Sequence, residues 1–98
     1  MKGEYRGYKY ELKRSTLSVI GDYYCGYVSI PKWHKYYGVD YDEIPIDCHG
    51  ELTYGKKIDE SYIIGFDCAH LDDNIQIQNE AYCVLECESI IDQLIEAE

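Results

Sequence analysis

A chain of 98 residues has room for one small hydrophobic core, so residues 1–98 are predicted to form a single domain. Nineteen Asp and Glu residues against nine Lys and Arg residues give a net charge of -10, which argues against direct nucleic-acid binding, because such binding depends mainly on cations. No apolar stretch approaches the roughly 18 residues that a membrane span needs, so no membrane partner is expected.

The N-terminal part of the chain is predicted to form strands. Residues 8–12 alternate between apolar and charged side chains, the period of a half-buried strand, and the polar residues 13–16 are predicted to form the following turn. Residues 17–30 are apolar with a break at 21–22, and Pro31 ends this stretch because it has no amide hydrogen to donate. The second stretch indicates one long bent strand or two short ones.

Residues 31–43, PKWHKYYGVDYDE, are predicted to form a long ordered loop with at most one helical turn. Aromatic and polar residues follow one another there without a regular period. Loops of this length in small domains are often functional, so this segment is a candidate part of a binding site.

The middle of the chain is predicted to add further strands to the sheet. Residues 44–48 and 51–54 lie on either side of His49-Gly50, and the polar residues 55–60 are predicted to connect them to an apolar strand at 62–66. The pattern predicts a mostly antiparallel sheet of four to five strands, rich in the 12 tyrosines of the chain.

The tail EAYCVLECESIIDQLIEAE is predicted to form a C-terminal helix. Its apolar stripe follows the helical period and consists of Val84, Cys87, Ile91 and Leu94. Cys83 lies one turn before Cys87, and both thiols are predicted to pack in the core, although their spacing would also suit a metal ion. Acidic residues form much of the opposite face: Glu80, Glu86, Glu88, Asp92, Glu96 and Glu98. The predicted fold class is α+β, an antiparallel Tyr-rich sheet packed against this one helix.

The cysteines are predicted to be free thiols of a cytoplasmic protein. Their number is odd, at five, and the N-terminal sequence MKGEYRGYKYELKR lacks the apolar core of a secretory signal. Both features favour a reducing compartment over a disulfide framework.

Two similar clusters, residues 47–50 (DCHG) and 67–70 (DCAH), carry the donor atoms of a zinc site. If they reach the same end of the sheet, Cys48, Cys68 and His70 are the expected ligands. The chain has no Cys-x2-Cys pair, however, and the spacing is not that of a zinc finger. We therefore expect no cofactor, with zinc as the alternative.

The same clusters offer a possible nucleophile. Cys68 would be activated if His49 lay within hydrogen-bond reach of its sulfur, as in cysteine-dependent hydrolases. The ordinary alternative is a buried thiol beside a structural histidine. This alternative is the expectation, so no catalytic residue is assigned.

A ligand pocket is the third interpretation of these residues. Aromatic rings offer flat surfaces, carboxylates and imidazoles offer directional hydrogen bonds, and stacking of a base on such a ring contributes about 1–3 kcal/mol. The alternative is a tyrosine-rich core in which the polar groups bind ring hydroxyls. The loop at 31–43, His49-Gly50 and residues 67–70 are expected to gather at one end of the sheet. The candidate ligand-binding residues are Trp33, His34, Tyr37, Asp40, Tyr41, His49, Thr53, Asp67 and His70.

The strings GYVSIPKWHKYYGVDYDEIPIDCHGELTY, IGFDCAH and YCVLECESIIDQL resemble a family of small uncharacterised bacteriophage and prophage proteins, with the similarity running from about residue 25 to 94. Its motifs are His-Gly-x-Leu-Thr at 49–53 and Gly-Phe-Asp-Cys-Ala-His at 65–70. The family pattern marks His34, Tyr37, Gly38, Asp40, Tyr41, His49, Gly50, Leu52, Thr53, Phe66, Asp67, Cys68, His70 and Asp73. This sequence departs from the pattern at Glu51, where the family usually has a second glycine, and at residues 63–64, where aromatics are common.

The resemblance implies a phage accessory protein in the cytoplasm of a host bacterium. The expected function is inhibition of anti-phage defence by binding a small, nucleotide-like ligand, although a charge of -10 disfavours a polyphosphate unless the pocket is locally cationic. One alternative is an acidic inhibitor that mimics nucleic acid on a basic defence nuclease, such as a CRISPR effector. Another is a small metal- or cysteine-dependent hydrolase. So small a domain can also complete its pocket as a homo-oligomer.

Overall fold

The computed structural model describes all 98 residues, and it places one helix against one face of a five-stranded antiparallel sheet. The predicted α+β class is confirmed. The strands are β1 Lys2–Tyr5, β2 Tyr8–Leu17, β3 Gly21–Ile30, β4 Tyr54–Ile58 and β5 Ser61–Asp67, and the helix is α1 Glu80–Glu96. The loop predicted at 31–43 contains one helical turn, a 3-10 turn at Tyr41–Glu43.

The strands lie in the order β1-β2-β3-β5-β4. The first three strands form a meander, and the first hairpin turns at Arg6 and Gly7, which both have positive φ (50° and 87°), as a two-residue type I′ turn requires. After the long segment 31–53, β5 returns to pair with β3, and β4 becomes the edge strand. The two edges of the sheet are therefore β1 and β4.

Two predictions in the first half of the chain are wrong, the turn at 13–16 and the break at 21–22, because both stretches lie within strands. Residues 13–16 continue β2, with Lys13 opposite Cys25 and Thr16 opposite Asp22, and residues 18–20 form the turn instead. This end of the hairpin is largely exposed, and Val19 is 94% exposed. Because no core packs against either side of it, the alternation that identifies a half-buried strand is missing.

The central segment also differs from the prediction. Residues 44–53 contain no strand, whereas β4 occupies most of the stretch predicted as a polar connection. An edge strand has only one neighbour, so the exposed Lys56 and Lys57 are compatible with it. β1 has no counterpart in the prediction because KGEY carries only one large apolar side chain.

The core lies between the inner face of the sheet and α1. Alternate residues of the strands point inward, with Val28, Ile30, Ile64 and Phe66 at most 1% exposed. The helix contributes Cys83, Cys87, Ile90, Ile91 and Leu94, all fully buried, which confirms the core role predicted for both cysteines. The opposite, outer face of the sheet is not covered by the helix. Neither helical segment is long and apolar enough to cross a lipid bilayer.

Candidate functional site

The predicted ligand-binding residues do not gather at one end of the sheet. β3 and β5 are antiparallel, with Ile30 opposite Tyr62 and Cys25 opposite Asp67. The loop that follows β3 therefore begins at the end of the sheet opposite to the segment that follows β5. The expectation that 31–43 joins His49 and residues 67–70 is wrong for this reason.

His34 lies inside the protein, 4% exposed. Its Nδ1 accepts a hydrogen bond from the amide of Tyr36 at 3.0 Å, so its Nε2 carries the proton and donates to the carbonyl of Leu94 at 2.7 Å. That carbonyl is among the last four of α1, which have no helical partner. His34 therefore connects the loop to the C-terminal end of the helix, and both ring nitrogens are occupied.

The other predicted residues of the loop are dispersed over its surface. Trp33 is 66% exposed, and Asp40 and Tyr41 are exposed as well. The Tyr37 ring packs edge-on against Tyr62, and the Lys57 ammonium lies 5.2 Å from its centre. These side chains do not line a common cavity with His49 or His70.

At the other end of the sheet, two predicted histidines meet a carboxylate. His49 Nε2 donates to Asp73 Oδ1 at 2.8 Å, and His70 Nδ1 lies 3.0 Å from Asp73 Oδ2. The two imidazole rings are edge-on with centres 5.6 Å apart. We call these three residues the His-Asp cluster. Asp73 is absent from the predicted ligand-binding set, although the family resemblance marks it.

Local backbone structure positions the His-Asp cluster. Gly50 and Glu51 both have positive φ (63° and 67°), which turns the chain sharply after His49. Any side chain at Gly50 would overlap the His70 ring. At Glu51 the positive φ is unfavourable for a non-glycine residue.

The first turns of α1 support His49 from the other side. The Tyr82 hydroxyl lies 2.8 Å from His49 Nδ1, and the His49 amide donates to Glu86 Oε1 at 2.7 Å. Asn79 caps this end of the helix by accepting from the amide of Tyr82 at 3.0 Å. The imidazole of His49 is therefore held on both sides, by the helix and by Asp73.

Thr53 and Asp67 form a separate polar contact near the His-Asp cluster. The Thr53 hydroxyl donates to Asp67 Oδ2 at 3.0 Å, and the Ala69 amide donates to Oδ1 at 3.1 Å. His70 Nδ1 is 3.9 Å from the same Oδ1. Four of the nine predicted residues therefore lie in one region, and most of their hydrogen-bonding capacity is used within the protein.

The expected zinc ligands Cys48, Cys68 and His70 do not come together. Cys68 points inward, 3% exposed, and its sulfur lies 3.6 Å from that of Cys83. His70 is on the outside, with 42% of its side chain exposed. β5 ends at Asp67, and the turn closed by the Asp73 amide on the His70 carbonyl holds the His70 ring at the surface.

Cys68, Cys48 and Cys87 also lack the environment of a nucleophile. The hydrogen bond with Cys83, together with burial, raises the pKa of Cys68, and burial raises the pKa of Cys48 to about 12. Burial raises the pKa of Cys87 to about 12 as well. Because the thiolate is the reactive form, these protonated thiols do not support the predicted alternative of a Cys68-His49 pair.

The outer face of the sheet carries a groove of about 740 Å³. The lining residues come from all five strands and the turn after β4: Lys2, Gly3, Glu4, Lys9, Tyr10, Glu11, Lys13, Tyr27, Ser29, Tyr54, Ile58, Asp59, Ser61 and Ile63. We call this the outer groove. Because both edge strands line it, the sheet curves around the groove.

The outer groove contains none of the nine predicted site residues. Its two central rings, Tyr27 and Tyr54, have centres 5.4 Å apart at an angle of 81°. In the sequence, the alternation of charged residues at 9, 11 and 13 indicates this groove, because it predicts a solvent-facing surface.

The chain matches no protein-family model, no curated protein and no solved structure.

We expect Asp73→Asn to lower the free energy of unfolding at pH 7 by about 2 kcal/mol, because hydrogen bonds to a charged group are each worth about 1.5–3 kcal/mol. Only 7% of the Asp73 side chain is exposed. Burial alone would raise its pKa, but hydrogen bonds from His49 and His70 outweigh that effect and hold the pKa of Asp73 below its usual value. The measurement is urea unfolding followed by circular dichroism.

The pH dependence of this difference has a definite sign. A carboxyl with a lowered pKa contributes stability that is complete above its unfolded pKa and is lost as the pH falls through the folded one. The difference between wild type and Asp73→Asn should thus be full at pH 7 and shrink below about pH 4. The exposed Asp72→Asn is the control, with little effect at either pH. An equal difference at pH 7 and pH 3 would contradict the assignment.

Proposed function

We propose that the protein is a non-enzymatic binding protein that holds a small nucleotide-like ligand in the outer groove. The observation that carries this proposal is the pair of tyrosine rings flanked by three lysines in a chain whose net charge is -10. In the phage setting that the sequence resemblance implies, such binding would inhibit bacterial defence by sequestering a nucleotide signal.

The tyrosines offer a stacking surface on a rigid support. Tyr27 lies in the central strand β3, and its ring crosses over Gly65 of β5, where any side chain would collide with it. Tyr54 meets Tyr27 from β4. A base stacked on such a ring gains about 1–3 kcal/mol, and every base has the flat surface that this contact requires.

The lysines supply the contacts for phosphate. Lys9 forms no ion pair in the protein. The ammonium groups of Lys2 and Lys13 are as far as 3.9 and 3.8 Å from the Glu11 carboxylate, and both lysine side chains are largely exposed. Exposed pairs at such distances are weak, so a phosphate can replace Glu11 as their partner. The Lys13 ammonium lies 5.7 Å from the centre of the Tyr27 ring, so the base and phosphate contacts of the proposed ligand would lie next to each other.

The charge of the outer groove limits the ligand class. Three lysines are balanced by three acidic residues, Glu4, Glu11 and Asp59, so the lining is neutral within an acidic protein. A neutral site favours one or two phosphate charges over a triphosphate. The volume of about 740 Å³ falls in the range of about 300–1,000 Å³ that is usual for small-molecule sites, and a dinucleotide would fit it.

Replacement of Tyr27 by alanine tests the proposal. We expect affinity for a cyclic dinucleotide probe, cyclic di-AMP, to fall about tenfold or more, the equivalent of one stacking contact. Isothermal titration calorimetry would compare this probe with AMP and ATP. Tyr23→Ala is the matched control, because Tyr23 lies on the same face of β3 outside the groove. Absence of binding to all three nucleotides, or equal affinity in Tyr27→Ala, would contradict the proposal.

A second candidate function rests on the charge of the helix. Residues 80–98 contain six acidic side chains and no Lys or Arg. Of these, Asp92 alone forms an ion pair, with Arg6 at 2.7 Å. This acidic surface supports the alternative of an inhibitor that occupies a basic groove of a defence nuclease. Such binding would weaken steeply with salt and survive Tyr27→Ala, whereas nucleotide capture would not survive that change.

A further inference from the structure

We propose that the His-Asp cluster is a binding site for a divalent transition-metal ion, with zinc as the ion that its donors suit best. Two imidazole nitrogens and one carboxylate oxygen, from His49, His70 and Asp73, all lie within 4.8 Å of one another. Zinc sites that exchange ligands typically have three protein ligands of this type and leave the remaining coordination positions to water. This site shares only His70 with the cysteine-containing set that the sequence suggested.

The present distances require only a small rearrangement. Asp73 Oδ1 is 2.8 Å from His49 Nε2, and Oδ2 is 3.0 Å from His70 Nδ1. Donor atoms bound to one zinc ion at about 2.0–2.1 Å lie about 3.3 Å from each other in tetrahedral geometry. The two imidazoles would thus need to approach each other by at most about 1.5 Å, within the reach of side-chain rotation.

The groups that orient metal ligands are already present around the cluster. When Nε2 of His49 binds the ion, Nδ1 takes the proton and donates to the Tyr82 oxygen, 2.8 Å away, because a hydroxyl can act as donor or acceptor. The His70 amide donates to Asp73 Oδ2 at 2.9 Å and fixes the carboxylate. Hydrogen bonds of this kind are what hold imidazole and carboxylate ligands in metalloproteins.

The burial of the cluster gives the ion one direction of access. The side chains of Asp73 and His49 are 7% and 17% exposed, whereas that of His70 is 42% exposed. An ion would enter beside His70 and keep its remaining ligand positions toward water. The bound ion would connect the turn at His49 to the turn at 70–73. Through the Tyr82 hydroxyl, it would also connect both turns to the start of α1.

Zinc titration of the full chain, freed of metal with a chelator, tests this inference. We expect native mass spectrometry to show one zinc ion per chain and the melting temperature to rise with zinc concentration. His70→Ala should weaken binding at least tenfold and remove the rise in melting temperature. His70 is partly exposed, so this variant should remain folded, which far-UV circular dichroism would verify.

Two controls separate this site from its alternatives. Cys48→Ser should bind zinc as tightly as the wild type, and cobalt substitution should give a spectrum without a thiolate charge-transfer band. Tyr27→Ala should leave zinc binding unchanged, so failure of the nucleotide proposal and failure of the metal proposal are distinguishable. No zinc binding at micromolar concentration, equal binding by His70→Ala, or a thiolate band would each overturn the inference.

Discussion

Phe66→Ala is expected to lower the free energy of unfolding by about 3–5 kcal/mol, the usual cost of removing a fully buried aromatic ring. Phe66 is 1% exposed, at the middle of the core. Its ring lies directly over Gly26 of β3, beside the sulfur of Cys87 in α1. The cavity that this substitution leaves cannot easily collapse, because the helix and two central strands form its walls.

The matched control for this prediction is Ile63→Ala on the same strand. Ile63 points to the outer groove and is half-buried, so its truncation should cost about 1 kcal/mol or less. Urea unfolding at pH 7, followed by circular dichroism, measures both variants. Similar losses of unfolding free energy in Phe66→Ala and Ile63→Ala would mean that the helix-facing side of the sheet is no more buried than the outer side.

The comparison of Phe66 with its neighbours explains why the strand at 62–66 is predictable. A strand in the middle of a sheet is apolar on its inner face, and this apolar run is visible in the sequence. The period of two then sends Ile64, Phe66 and Cys68 inward and Asp67 outward. Cys68 is therefore a core residue, although its position between Asp67 and His70 suggests chemistry.

The elements that escape prediction share one physical property, the absence of a buried face. The distal half of β2 and the edge strand β4 contain no fully buried side chain, and hydrogen bonds to one neighbour hold them in place. Their sequences, KRSTL and YGKKI, resemble turns because nothing selects for alternation where both faces meet water. Tertiary pairing decides their structure, and this pairing is not encoded in a local pattern.

The candidate sites were predictable to different degrees. His49 and His70 follow from the sequence as polar groups in the two similar clusters, although the strands predicted on either side of His49 do not form. Asp73 completes the cluster only because a turn folds it back onto His70, with its amide donating to the His70 carbonyl at 2.9 Å. The outer groove depends on the curvature of the whole sheet, which brings Lys2 and Asp59 to one surface. No local pattern predicts that curvature.

His34→Ala should lower the free energy of unfolding by about 2–4 kcal/mol, because it removes a buried ring and leaves one buried and one partly buried polar group unpaired. The unpaired groups are the Leu94 carbonyl and the Tyr36 amide. His34→Gln should cost less, since its amide nitrogen can still donate to the Leu94 carbonyl. Urea unfolding compares the two variants.

The same pair of variants decides between the structural role of His34 and the ligand-binding role that the sequence suggests. His34 is buried at the C-terminal end of α1, away from the outer groove, so His34→Gln should bind cyclic di-AMP as the wild type does. If His34→Gln remained folded and lost this binding, the ligand would have to contact the loop at 31–43. The groove would then not be the site. Retained binding, with lower stability in His34→Ala, would establish His34 as the contact that holds this loop to the helix.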